Sequence, residues 1–233
     1  MKTLRSTLWM QRALICLAVC ALCLALPGAC VKKHPDWQGF QGTPVHGAPA
    51  WQAEVRTSNI RSGAAQGAGK LFVEGRNLRY EENNNSPFGR LVLLARLDSG
   101  KAWLLNPANM ACLESSFNPQ HWVELAHIFE SFPQLAVIRR TVKSEELLGA
   151  ENLGDYKVNK LQRLLEENAF GETRTQMQTL WLAEEFCVPL RIETGETRQE
   201  LVQISTGPLA ATLFALPSTV KMVSGIDELV IKP

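Results

Sequence analysis

Apolar and polar positions alternate in short runs along most of the chain beyond residue 50. "AWQAEVRTSNI" (50–60) alternates and predicts a strand. "GKLFVEGRNLRYEE" (69–82) predicts two strands around Glu74-Gly75-Arg76-Asn77, and residues 82–89 a polar turn. Residues 90–116 predict three strands, broken at Asp98-Ser99-Gly100 and Asn106-Pro107-Ala108-Asn109. These residue types favour the backbone angles that reverse a chain. Further strands are predicted over 134–149, 155–165, 172–185, 187–195 and 198–206. A short helix or turn (207–217) and a last strand (219–231) complete the pattern. Short strands at this spacing predict a mainly β fold, an antiparallel meander.

One segment has a different period. "NPQHWVELAHIFESF" (118–132) offers Asn118 as N-cap and Pro119 at the first helical position, where a missing N–H costs nothing. Trp122, Leu125, Ala126 and Phe129 follow at i, i+3, i+4 and i+7, with Val123 and Ile128 widening the stripe. This amphipathic helix has one apolar face, and the sheet is the surface available to receive it.

The N-terminus follows a separate logic. Lys2, Arg5 and Arg12 precede Ala13–Leu26, fourteen residues without a charge. A spanning helix takes roughly 20 residues, so this run fits a secretory h-region better. Pro27-Gly28-Ala29 then break the helix ahead of Cys30. "LPGAC" resembles the lipobox of bacterial lipoproteins, with its leucine one place early and Pro27 at −3. An ordinary secretory signal and an uncleaved anchor are the alternatives. The lipoprotein reading makes residues 1–29 a signal peptide and Cys30 the site of lipid attachment. Several buried chains, each methylene worth about 0.8 kcal/mol, would hold it to a membrane. Residues 30–49 are rich in Pro and Gly and read as a tether, leaving 50–233 as one β domain. Val31-Lys32-Lys33 lacks the aspartate that retains many such lipoproteins at the inner membrane. The expected location is therefore the periplasmic side of the outer membrane.

Charge and chemistry narrow the function classes. Lys2, Arg5 and Arg12 are the only charges in residues 1–29, so the remaining chain holds 21 basic against 23 acidic residues. That balance leaves no footprint for nucleic acid. "GAAQGAGK" (63–70) mimics a phosphate loop, but Leu71 stands where Ser or Thr is required and a strand follows; it reads as a hairpin loop. His121 and His127 are six apart and lie on different helix faces, and no HExxH or CxxC is present. No metal, cofactor or enzymatic activity is expected. Beyond the signal and Cys30, Cys112 and Cys187 remain, either a disulfide or two buried thiols.

The order of weak marks along the domain resembles the LolA/LolB group of lipoprotein-sorting factors. The marks are Arg79-Tyr80-Glu81, Trp103 with Pro107, Trp181 leading to Pro189-Leu190-Arg191, and Leu213-Phe214 with Pro217. The resemblance spans roughly residues 50–223. It implies a curved, incomplete antiparallel barrel covered by a helix, with a cavity for acyl chains. Trp103, Trp122, Leu125, Phe129 and Trp181 either line such a cavity or pack as ordinary core. The implied function is binding or transfer of a lipid or lipidated protein. The alternative is an envelope interaction module whose cavity is filled by its own side chains.

Overall fold

The structure is a computed structural model and describes residues 49–83, 90–117, 128–129, 131–132, 135, 138–169, 171–183, 186 and 189–230. Its strands are β1 (Trp51–Asn59), β2 (Ala65–Glu74), β3 (Asn77–Glu82), β4 (Val92–Arg96), β5 (Lys101–Asn106) and β6 (Ala111–Ser116). The second group is β7 (Ile138–Leu153), β8 (Tyr156–Ala169), β9 (Glu172–Ala183), β10 (Arg191–Thr194), β11 (Thr197–Thr206) and β12 (Lys221–Met222). All twelve belong to one open sheet, ordered β12-β6-β5-β4-β3-β2-β1-β11-β10-β9-β8-β7. Neighbours are antiparallel except for β12, which runs parallel to β6. The mainly β class and the incomplete, unclosed sheet agree with the sequence reading. Two meanders, β1–β6 and β7–β11, meet at the single β1–β11 seam.

Alternation sets the two faces. Trp51, Ala53 and Val55 of β1 point into the main core, as do Leu71 and Val73 of β2, Leu93 and Ala95 of β4, and Ala102 and Leu104 of β5. Each large apolar side chain buried there contributes roughly 1.5–3 kcal/mol. Ile128 and Phe132 are fully buried against this inner face, and Ile128 and Phe129 are helical. Most of the helix expected over 118–132 lies outside the described residues.

The opposite face holds Val92, Leu94, Leu105 and Cys112, with Trp103, Leu216 and Val220 packed against them. The C-terminal segment supplies the last two and straps this face. Gly207 N–H donates to the Ala50 carbonyl at 2.9 Å, and Arg79 donates to the Leu213 carbonyl at 2.9 Å. The segment then wraps the β6 edge as β12 and forms a helical turn, Ile226–Leu229. Leu229 is fully buried in the inner core, and its carbonyl accepts from Asn106 at 2.8 Å and Asn109 at 3.2 Å.

Three local expectations change. The strand predicted over 219–231 is only Lys221–Met222, because the chain leaves the edge to bury Leu229. Residues 65–68, expected in a loop, belong to β2, which pairs with β1, with Gly67 opposite Thr57. Gly69 is needed there: a Cβ would lie 2.4 Å from the Tyr80 ring. Finally, β7 does not stop at Gly149; it runs through an irregularity there to the Gly154-Asp155 turn.

Candidate functional site

Under β1–β6 the inner face is filled. Leu71, Leu78, Leu93, Leu104 and Leu113 are all fully buried among themselves and beneath Ile128 and Phe132. Toward β8–β11 a row of aromatic rings leads out of this core. Trp51 meets Phe186 edge-on at 5.0 Å between centroids, and Phe186 meets Tyr156 at 5.4 Å.

Tyr156 opens onto a groove of about 360 Å³ between the β7–β8 turn and β10–β11. Leu153, Tyr156, Leu190, Leu201, Val202 and Ile204 supply its apolar lining, and Asp155, Arg191, Glu200 and Gln203 its polar members. The groove depends on an irregularity in β11. Gln52 pairs with Ser205 but Glu54 with Val202, so β11 carries one extra residue, and Gln203 adopts φ 52. A bulge of this kind changes which face the following side chains take. Leu201 and Ile204 would alternate in a regular strand; here both pack against the main core.

Trp181 forms part of the same core and is 5% exposed. Its indole N–H donates to the Glu151 carboxylate. Lys160 lies 5.0 Å and Arg191 5.3 Å from the ring centroid, cation–π distances. Arg191 also pairs with Glu200 at 2.6 Å. Trp181 is thus fixed on three sides beside the groove rather than lying loose within a cavity.

The other expected site residues separate. Phe129 packs on the core and meets the Tyr80 ring edge-on at 6.2 Å. Trp103 is a correction: it lies on the opposite face, where it donates to Glu114 at 2.8 Å and Arg96 stands 5.7 Å from its ring. Strand alternation requires this, since Ala102 and Leu104 take the inner face. Trp122, Leu125, Cys30 and Cys187 lie outside the described residues. Cys112 is a free, buried thiol, not a disulfide half. Burial, and then the Glu114 charge, push its pKa to about 11. Iodoacetamide at about pH 8 should spare Cys112 in the folded chain and label it in urea. Labelling mapped by mass spectrometry at equal rates in both states would contradict this burial.

Among the described residues, no group of three His, Cys, Asp or Glu side chains could hold a metal. No helix among them is long and apolar enough to cross a membrane. The groove's lining residues were not picked out from sequence. The β11 irregularity that shapes it has no sequence mark.

No protein-family model matches the chain, and no curated protein sequence matches it. Among solved structures, it is similar to an uncharacterised conserved protein from Thermus thermophilus, at 14% identity and TM-score 0.41, covering 76% of this chain and 90% of that one. It is also similar to the Mycobacterium tuberculosis lipoprotein LppX, at 11% identity and TM-score 0.33, covering 70% and 90%. LprF from Mycobacterium bovis stands at 10% and 0.33, covering 75% and 91%. With TM-scores below 0.5, these likenesses assign neither family nor function.

Proposed function

We propose that this chain is a lipid-anchored protein of the bacterial envelope, with a LolA/LolB-like domain that binds an apolar chain of a lipid or lipidated protein. The groove beside Tyr156 carries this reading. Its volume of about 360 Å³ falls within the roughly 300–1,000 Å³ usual for small-ligand sites. Six apolar side chains line it, and an acyl chain would bind there without directional bonds, at about 25 cal/mol per Å² of apolar area removed from water. The domain binds rather than catalyses in this reading. Cys30 carries the anchor, residues 30–49 form the tether, and the outer membrane is the site of attachment.

Native mass spectrometry of the protein purified from its membrane tests the groove. The wild type should retain a co-purified lipid, and Leu201→Glu should lose it while remaining folded. Equal retention by both would remove the groove from the account. For the anchor, Cys30→Ser should abolish incorporation of labelled palmitate; persistent label would place the lipid elsewhere.

A second reading has an observation of its own. The fully packed inner face of β1–β6 suits an envelope interaction module that holds no ligand. A wild-type protein that retains no lipid at all would favour it.

A further inference from the structure

β7 ends the sheet, and among the described residues its one strand partner is β8. The outer edge of such a strand presents a row of N–H and C=O groups ready to pair. Arg139, Thr141, Val142 and Lys143 are exposed along it, Val142 at 42%. Proteins guard edges like this with charges and bulges, and β7 has both. Their arrangement does something more specific.

Val142 opposes Leu165 and Ser144 opposes Leu164, so Lys143 is the extra residue of a bulge. The register with β8 then fixes the faces. Arg140, Val142 and Glu145 oppose Glu167, Leu165 and Arg163 on one face. Arg139, Thr141, Ser144 and Glu146 oppose Asn168, Glu166, Leu164 and Gln162 on the other. With Lys143 set aside, the strand is self-complementary about Val142. Thr141 mirrors Ser144, Arg140 mirrors Glu145, and Arg139 mirrors Glu146. Each mirrored pair shares a face, as residues directly opposite in an antiparallel ladder must. Without the bulge, Arg140 would mirror Ser144, leaving one Arg–Glu match per half instead of two.

We infer that β7 is a homodimerisation edge: two copies pair antiparallel about a two-fold axis at Val142 and join their sheets into one. The interface is isologous, so each Arg–Glu match occurs twice. Arg140 already pairs with Glu167 at 3.0 Å and Arg163 with Glu145 at 2.5 Å within one chain. Dimerisation extends these ion pairs into a ladder that crosses the junction. The same charges reject the parallel in-register alternative, which sets Arg139 against Arg139 and Glu146 against Glu146.

Sedimentation velocity of the full chain in mild detergent tests the edge. The wild type should dimerise with rising concentration. Arg139→Glu and Glu146→Arg should each give monomer, and the double reversal should restore the dimer. Val142→Cys supplies a second measurement, since residues at the axis lie within disulfide reach. It should cross-link into a covalent dimer under mild oxidation. Ala150→Cys should not exceed the wild-type background, because six positions from the axis its two copies are about 40 Å apart at ~3.3 Å per residue. A wild type monomeric at all concentrations overturns the inference. So do equal cross-linking of the two cysteine variants and a folded double reversal that stays monomeric. If the double reversal does not fold, the cysteine pair decides.

Discussion

Trp51→Ala is expected to lower the stability of the β domain by about 3–5 kcal/mol, the usual cost of truncating a buried Trp or Phe. Trp51 is 2% exposed and opens β1, the strand at the seam between the two meanders. It also makes an edge-on contact with Phe186, a geometry worth about 0.5–1.5 kcal/mol beyond the area buried. Strands on both sides of Trp51 are held by backbone ladders, so the void can collapse only in part. In urea unfolding the midpoint should fall with little change in slope, the mark of altered stability alone. A loss under about 1 kcal/mol would mean that the surroundings close over the gap. Because Phe186 links Trp51 to Tyr156, the same substitution should loosen the groove wall and, under the proposed function, weaken lipid retention.

Glu167→Ala should cost about 3 kcal/mol, with a signature in pH. The Glu167 side chain is 1% exposed. Its carboxylate accepts from Arg140 at 3.0 Å, Arg174 at 2.7 Å and Gln176 at 2.9 Å. Removing one partner of a buried ion pair typically costs roughly 3–5 kcal/mol. The low end applies here, since Arg174 is 68% exposed and can turn to water. Burial alone would raise the pKa of Glu167, but hydrogen bonds from Arg174 and Arg140, with their charges, hold it below the ordinary 4.5. A carboxyl lowered in the folded state stabilises above its unfolded pKa, and that contribution is lost as pH falls through the folded value. The wild type should therefore lose stability below pH 4.5 more steeply than Glu167→Gln. Parallel pH profiles for the two proteins would show that Glu167 contributes no such linkage.

What was legible in the sequence was whatever alternation and turn chemistry write locally. β1, β4, β5 and β6 carry clear apolar runs between Gly, Pro, Asn and Asp, and their predicted places agree with the structure. Alternation in "KAWLL" also places Trp103 opposite Ala102 and Leu104; grouping it with the cavity aromatics put the resemblance ahead of the period. The early start of β2 was hidden by Gly67, a residue type that ordinarily weakens strands but here pairs with Thr57 of β1. The end of β7 was hidden in the same way by "GAENLGDY". The groove was the least legible part. Its walls come from β7, β8, β10 and β11, and Leu201 and Ile204 share a face only because of an extra residue whose presence depends on register with β1.

The β1–β11 seam has a consequence in time. Each meander is built from neighbours in sequence and can pair early, as Trp51 does with Val73, but across the seam Trp51 finds its partner only at Thr206. Closing so long a loop is a slow step, and topologies rich in distant pairings fold slowly. A chain being made thus holds two half-sheets, the first lacking the partner along its β1 edge, until β11 emerges. In the envelope role proposed above, where the chain crosses a membrane before it folds, that delay is useful: the strand that completes the sheet is among the last to be delivered.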